Sequence, residues 1–165
     1  LVTKLNRQGY FPAKGISLAV FYFMNQQAHE LGDRVNNPSI CVIDGQGGGI
    51  GSVIVKALRS EFGPGLEVFA LGTNAIATTN MMKAGANRGA TGDEAIMHSV
   101  NLANFVLGPL GIVMANSMMG EITPAAAAHV ASCRARKLLL PLNQENTEVV
   151  GVVREPLPHL VEEMV

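Results

Sequence analysis

A strand that runs directly into a cluster of glycines constrains this chain more than any other feature. Ile40 to Ile43 is a short apolar run with β-branched residues, as in a strand buried on both faces, and Asp44 ends it. Gly45, Gly47, Gly48, Gly49 and Gly51 then crowd a single turn. Ile50, Val53, Ile54, Ala57 and Leu58 follow at helical i, i+3, i+4, i+7, i+8 spacing. The segment therefore predicts strand, glycine-rich turn, helix. Glycine lets the backbone take φ > 0 and lets a ligand approach it closely. The first N–H groups of the helix, at the positive end of its dipole, favour an anion such as a phosphate. The competing expectation is a bare strand-to-helix turn, which needs fewer glycines than stand here.

Spacing narrows the choice. The dinucleotide pattern G-x-G-x-x-G requires glycine at position 50, where Ile50 stands. Gly45, Gly49, Ile50 and Gly51 fit better to the Thr-Gly-x-x-x-Gly-Ile-Gly turn of short-chain dehydrogenases, which this turn resembles, with Asp44 in place of the threonine. The resemblance ends there. Those enzymes use a Tyr-x-x-x-Lys pair, and the tyrosines here, Tyr10 and Tyr22, both precede the turn. A P-loop is disfavoured because Gly51, not lysine, precedes Ser52, and Lys56 comes about one helical turn too late.

A chain of 165 residues is long enough for one domain with a real core. Charged residues make up 15%, against a usual ~25%, and the net charge is −1. There is no basic footprint for nucleic acid. So few charges on an apolar chain predict surface buried against a partner, most simply a homo-oligomer. Cys41 and Cys133 form no C-x-x-C pair and suit buried, reduced thiols of a cytoplasmic protein. His29, His98, His129 and His159 are scattered, so no metal site is indicated.

Residues 1–38 differ from the rest. Lys4, Arg7 and Lys14 precede the apolar run Ile16 to Met24, a signal-like order. The polar Asn25-Gln26-Gln27 that follows supplies no cleavage site, and the run is too short to span a bilayer. With Leu1 as first residue and Met24 as one candidate start, 1–38 is expected to be a poorly ordered extension before a domain at 39–165.

Strands and helices alternate from there. The first helix reaches about Phe62 and breaks at Gly63-Pro64-Gly65. Leu66 to Leu71 is a strand, and a helix from Ala75 to Ala84 closes at Gly85. Residues 86–90 hold a very short strand or a loop. Thr91-Gly92-Asp93-Glu94 has the form of a capping box and predicts a helix to about Leu102. Phe105 to Leu107 is a strand, and Gly111 to Met119 suggests a short helix. Thr123 as N-cap with Pro124 at N1 starts a helix to about Cys133. Lys137 to Leu140 and Val149 to Val153 are expected as strands, and Leu157 to Met164 as a terminal helix. Such alternation predicts a three-layer α/β/α, Rossmann-like fold with a mainly parallel sheet. Ligands then sit at the carboxyl ends of the strands. The turns there, at Asp44–Gly51, Gly72–Asn74, Gly108–Leu110 and Pro141–Gln144, are rich in Gly, Thr, Asn and Pro and none is rich in charge.

Several runs resemble an uncharacterised family of short bacterial proteins, a domain of unknown function, over about residues 40 to 155. They are Ile43 to Gly51, Leu71 to Ala75, Gly85 to Gly92, Ala115 to Met118 and Gly120 to Pro124. That resemblance implies no reaction, so roles rest on the residues. Gly45, Gln46, Gly47, Gly48, Gly49, Ile50 and Gly51 are expected to bind the phosphate of NAD(P) or another nucleotide. Thr73 and Asn74 stand where a dinucleotide fold places an acid for the ribose. They suit a ribose, a 2′-phosphate or a helix cap. Arg88, Asn116 and Ser117 are candidate substrate contacts, Arg88 by clamping an anion or else by pairing on the surface. Glu121 and Asp44 are the candidate acids or bases. Asp44 equally suits a turn aspartate accepting N–H groups, and Glu121 a residue placed by a helix dipole. Two classes remain open, a dinucleotide-dependent enzyme and a non-catalytic nucleotide-binding sensor or assembly subunit.

Overall fold

The structure, a computed structural model, describes residues 38–142, 147–153 and 155–165. The expectation for the extension at 1–38 therefore falls outside it, save for Pro38.

The chain alternates β1 (Ser39–Asp44), α1 (Gly49–Phe62), β2 (Glu67–Gly72), α2 (Ala75–Lys83), β3 (Arg88–Thr91), α3 (Asp93–Val100), β4 (Phe105–Pro109), α4 (Pro124–Ser132), β5 (Arg136–Leu140) and α5 (Leu157–Met164). The strands form one sheet in the order β3-β2-β1-β4-β5, and every pairing is parallel. This is the Rossmann-like α/β architecture the alternation predicts.

Period-2 alternation along β1 divides the core. Ile40 and Val42 join Ile54, Val55 and Leu58 of α1, Met81 of α2 and Val161 of α5 on one face. Cys41 and Ile43 join Ile96 and Val100 of α3 and Val130 of α4 on the other. Both sets are nearly free of solvent, and each fully buried aliphatic side chain stabilises the fold by about 1.5–3 kcal/mol before entropy is counted.

Helix ends follow local chemistry. Thr123 Oγ1 accepts from Ala126 N at 3.1 Å, with Pro124 opening α4. Gly85 follows α2 at φ 115°, a conformation its missing Cβ permits.

Three expectations need correction. Thr91 does not cap α3. It pairs with Gly72 at the end of β3, and its Oγ1 lies 2.6 Å from Thr78 Oγ1, so the sheet takes the residue and Gly92 precedes the helix at φ 94°. Gly111 to Met119 is not an α-helix but a 3-10 turn at Leu110–Val113 followed by irregular turns. The Gly111 carbonyl accepts instead from Met114 N at 3.0 Å and Ser117 Oγ at 2.6 Å. Residues 149–153 form no strand; the chain turns at Gly151 with φ 87° and leaves Val150 94% exposed. The link from β5 is shorter than the dozen or so residues that a parallel crossover takes.

Candidate functional site

β1 and β4 lie side by side, and the chain leaves them toward opposite faces of the sheet, α1 packing on one and α4 on the other. Their carboxyl ends thus flank the topological switch point, where open α/β sheets bind ligands. The loop 45–48 follows β1. The segment 110–123 follows β4.

Packing explains three glycines of the turn. A Cβ on Gly45 would lie 2.8 Å from Met118 Sδ and 2.9 Å from Glu121 Oε2. Gly48 has φ 66° and would press a Cβ to 2.6 Å from the Ala77 backbone. Gly51 would strike Met81 Sδ and the Asp44 Cβ. Gly47 and Gly49 differ: a Cβ at either would meet nothing within 4 Å. Neither has positive φ. No contact inside the described residues demands glycine at these two positions.

Two asparagines fix the turn. Asn74 caps α2 by accepting from Ala77 N at 2.9 Å, and its Nδ2 donates to Gln46 O at 3.0 Å. Asn80 Nδ2 donates to Gly47 O at 2.9 Å. A trans peptide points N–H opposite to C=O, so with Gln46 O turned to the Asn74 side chain the Gly47 N–H of the same peptide is turned away from it. The next N–H, of Gly48, closes on Gly45 O at 2.9 Å.

Asp44 lies beneath the turn, 3% exposed. Its Oδ1 accepts from Gly45 N at 2.9 Å and its Oδ2 from Gly51 N at 2.7 Å. Burial pushes its pKa up, as does the charge of Glu121, against the N–H groups of Gly51, Gly45 and Ile50. It is the turn-holding aspartate, with its oxygens committed to the backbone.

Glu121 spans the crevice from the β4 side. Its Oε2 accepts from Gln46 N at 2.8 Å, from Asn74 Nδ2 at 2.9 Å and from Thr73 Oγ1. Burial acts to raise its pKa, but the bonds from Thr73, Gln46 and Asn74 outweigh it and hold the carboxyl below its ordinary value. One carboxylate therefore ties together the loops after β1, β2 and β4.

The remaining candidates are divided. Asn116 and Ser117 shape the loop that carries Glu121: Asn116 N donates to Ile122 O at 2.7 Å, and Ser117 Oγ reaches Gly111 O. Arg88 stays apart, 3.6 Å from Glu67 on the surface and over the Phe69 ring. Sequence reasoning missed Asn80, whose only signal is a polar side chain inside a small helix, and gave no role to Met118, which ends the run Ala115 to Met118. A cavity of about 340 Å³ between β5 and α5, walled by Leu138, Leu140, Val152 and Met164, includes no residue of the turn.

The described residues contain no cluster of three His, Cys, Asp or Glu side chains able to hold a metal, and no helix long and apolar enough to cross a membrane. Cys41 and Cys133 are buried and unpaired, and burial pushes the Cys41 thiol up to about 12, with Cys133 adding to it. No curated protein and no solved structure matches the chain. The model of one family matches residues 39–165, most of the chain, and the protein belongs to that family, described as a domain of unknown function, DUF3842.

Proposed function

We propose that the protein binds a nucleotide or dinucleotide, NAD(P) among the candidates, at the switch-point crevice, with a phosphate against Gly47–Gly49. The observation that carries this reading is the open space over Gly47 and Gly49 in a turn whose other glycines are explained by packing. An anion there meets the N–H groups of Gly47 and Gly49, while those of Ile50 and Gly51 are turned to Asp44. Asp44 and Glu121 are negative and lie toward Gly45, Gln46 and Gly51, so the phosphate belongs on the outer lip.

The non-catalytic alternative, a nucleotide-binding sensor or assembly subunit, has its own support. A general acid or base works best with a pKa near the working pH and a free path to substrate. Glu121 is held low and Asp44 is sealed by backbone N–H groups. We therefore favour binding over catalysis.

The test is calorimetric titration of NAD, NADP, ATP and GTP against the wild type and Gly49→Ala. The added methyl enters open space, so the fold is spared while the phosphate is hindered. Wild-type binding that weakens in a variant of unchanged melting temperature supports the site. Equal affinity, or no binding of any of the four, overturns it.

A further inference from the structure

The three donors that hold Glu121 belong to the loops after β1 and β2, and the carboxylate they hold is delivered by the segment after β4. Gln46 N–H, Asn74 Nδ2 and Thr73 Oγ1 all donate to one oxygen, Glu121 Oε2. Converging donors of this kind suit an oxyanion, and charge-assisted bonds are the strong ones. Each of the three donors has an anchor besides Glu121, although Gln46 itself stands at φ 51°. Asn74 is fixed as the α2 cap, Gln46 O is held by Asn74, and Thr73 N donates to Asp44 O at 3.1 Å.

The delivering segment is held in an unfavourable conformation. Asn116, Met118 and Met119 have φ of 62°, 56° and 58°. Asparagine visits that region readily, but methionine takes it only where surrounding contacts impose it. Met119 is 82% exposed, so its own burial does not offset this cost. Backbone bonds such as Asn116 N to Ile122 O at 2.7 Å and the buried Ile122 side chain keep the segment's own shape, and the Glu121 bonds and Met118 beside Gly45 hold it against the turn.

We propose that Gln46 N–H, Thr73 Oγ1 and Asn74 Nδ2 form an oxyanion receptor that Glu121 fills as an internal latch. A second anionic group of the ligand, a carboxylate or a phosphate other than the one at Gly47–Gly49, competes with Glu121 for these donors and releases residues 114–122 from the turn. The release by a nucleotide rests on the binding reading above; the receptor itself is tested without one.

Glu121→Ala in the full chain vacates the donors. Its melting temperature should fall, and millimolar sodium acetate should restore it while chloride at equal ionic strength does not. The wild type, already filled, should respond to neither salt. Inorganic phosphate in a parallel arm distinguishes a tetrahedral from a planar oxyanion, and restoration by either supports the receptor. No restoration by either anion, or an equal response in wild type, overturns it. Should Glu121→Ala fail to fold, Glu121→Gln keeps one acceptor oxygen. Hydrogen exchange across 114–122 should then rise above wild type, and unchanged exchange overturns the latch. ADP separates the two readings. It should bind the latch variant about tenfold tighter or more than wild type. If ADP binds neither protein while acetate restores Glu121→Ala, the receptor stands and the nucleotide reading falls. If ADP binds both alike and no anion restores the variant, the nucleotide reading stands and the latch falls.

Discussion

Asp44 and Glu121 take successive amides of one turn: Gly45 N donates to Asp44 Oδ1 at 2.9 Å and Gln46 N to Glu121 Oε2 at 2.8 Å. The two carboxyl groups are nevertheless pushed in opposite directions. Burial dominates at Asp44 and raises it, whereas hydrogen bonds dominate at Glu121 and lower it.

Opposite shifts give opposite pH behaviour. The folded state holds the Glu121 proton more weakly than the unfolded state, so its stabilisation is complete above the ordinary value of 4.5 and is lost as pH falls through the depressed value. Asp44 works the other way, and stability rises as pH falls from its raised value toward 3.8. Glu121→Gln should therefore be less stable than wild type at pH 7, and the gap should narrow in acid. Urea unfolding at pH 7 and in the acid range checks this; a constant gap contradicts it.

Asp44→Asn should destabilise the fold by about 1–3 kcal/mol, since one of two buried backbone N–H groups would face an amide N–H instead of an oxygen. Urea denaturation measures it. A loss within error of zero would mean that the aspartate does not hold the turn.

The glycines should separate by cost. Gly48→Ala meets the Ala77 backbone at φ 66° and should lose about 1–3 kcal/mol. Gly47→Ala and Gly49→Ala add a methyl to open space without positive φ, and should stay within about 1 kcal/mol of wild type. Three thermal melts decide the order, and an equal loss at all three positions contradicts it.

We also propose self-association. Few charges on an apolar chain motivate it, and Val150 and Val153, 94% and 74% exposed, offer apolar surface. Light scattering at micromolar concentration should give at least a dimer, and a monomer mass refutes it.

Much of the fold was legible because it is written in local patterns. The buried alternation of β1, the Thr123-Pro124 start of α4 and the glycine after α2 all act over a few residues. The misses share a different cause. Thr91 satisfies a capping pattern, but the sheet partner Gly72 lies far along the chain. Gly111 to Met119 is apolar enough for a helix, yet Ser117 and the Glu121 tether bend it into turns. At the site, the glycine turn, Thr73, Asn74 and Glu121 could be picked out by residue type. Their convergence depends on a long loop crossing from β4, which no spacing in the sequence encodes. Arg88 was a plausible anion clamp by charge, and only the register of β3 against Phe69 removes it from the crevice.

The most direct measurement is an amide NMR titration of the full-length protein with NAD and with ATP. The account predicts that the largest shifts fall on Gly47, Gly49 and Ile50, with Gln46 and Thr73 following as Glu121 is displaced. Saturating shifts confined to other parts of the molecule, or none with either nucleotide, would contradict it.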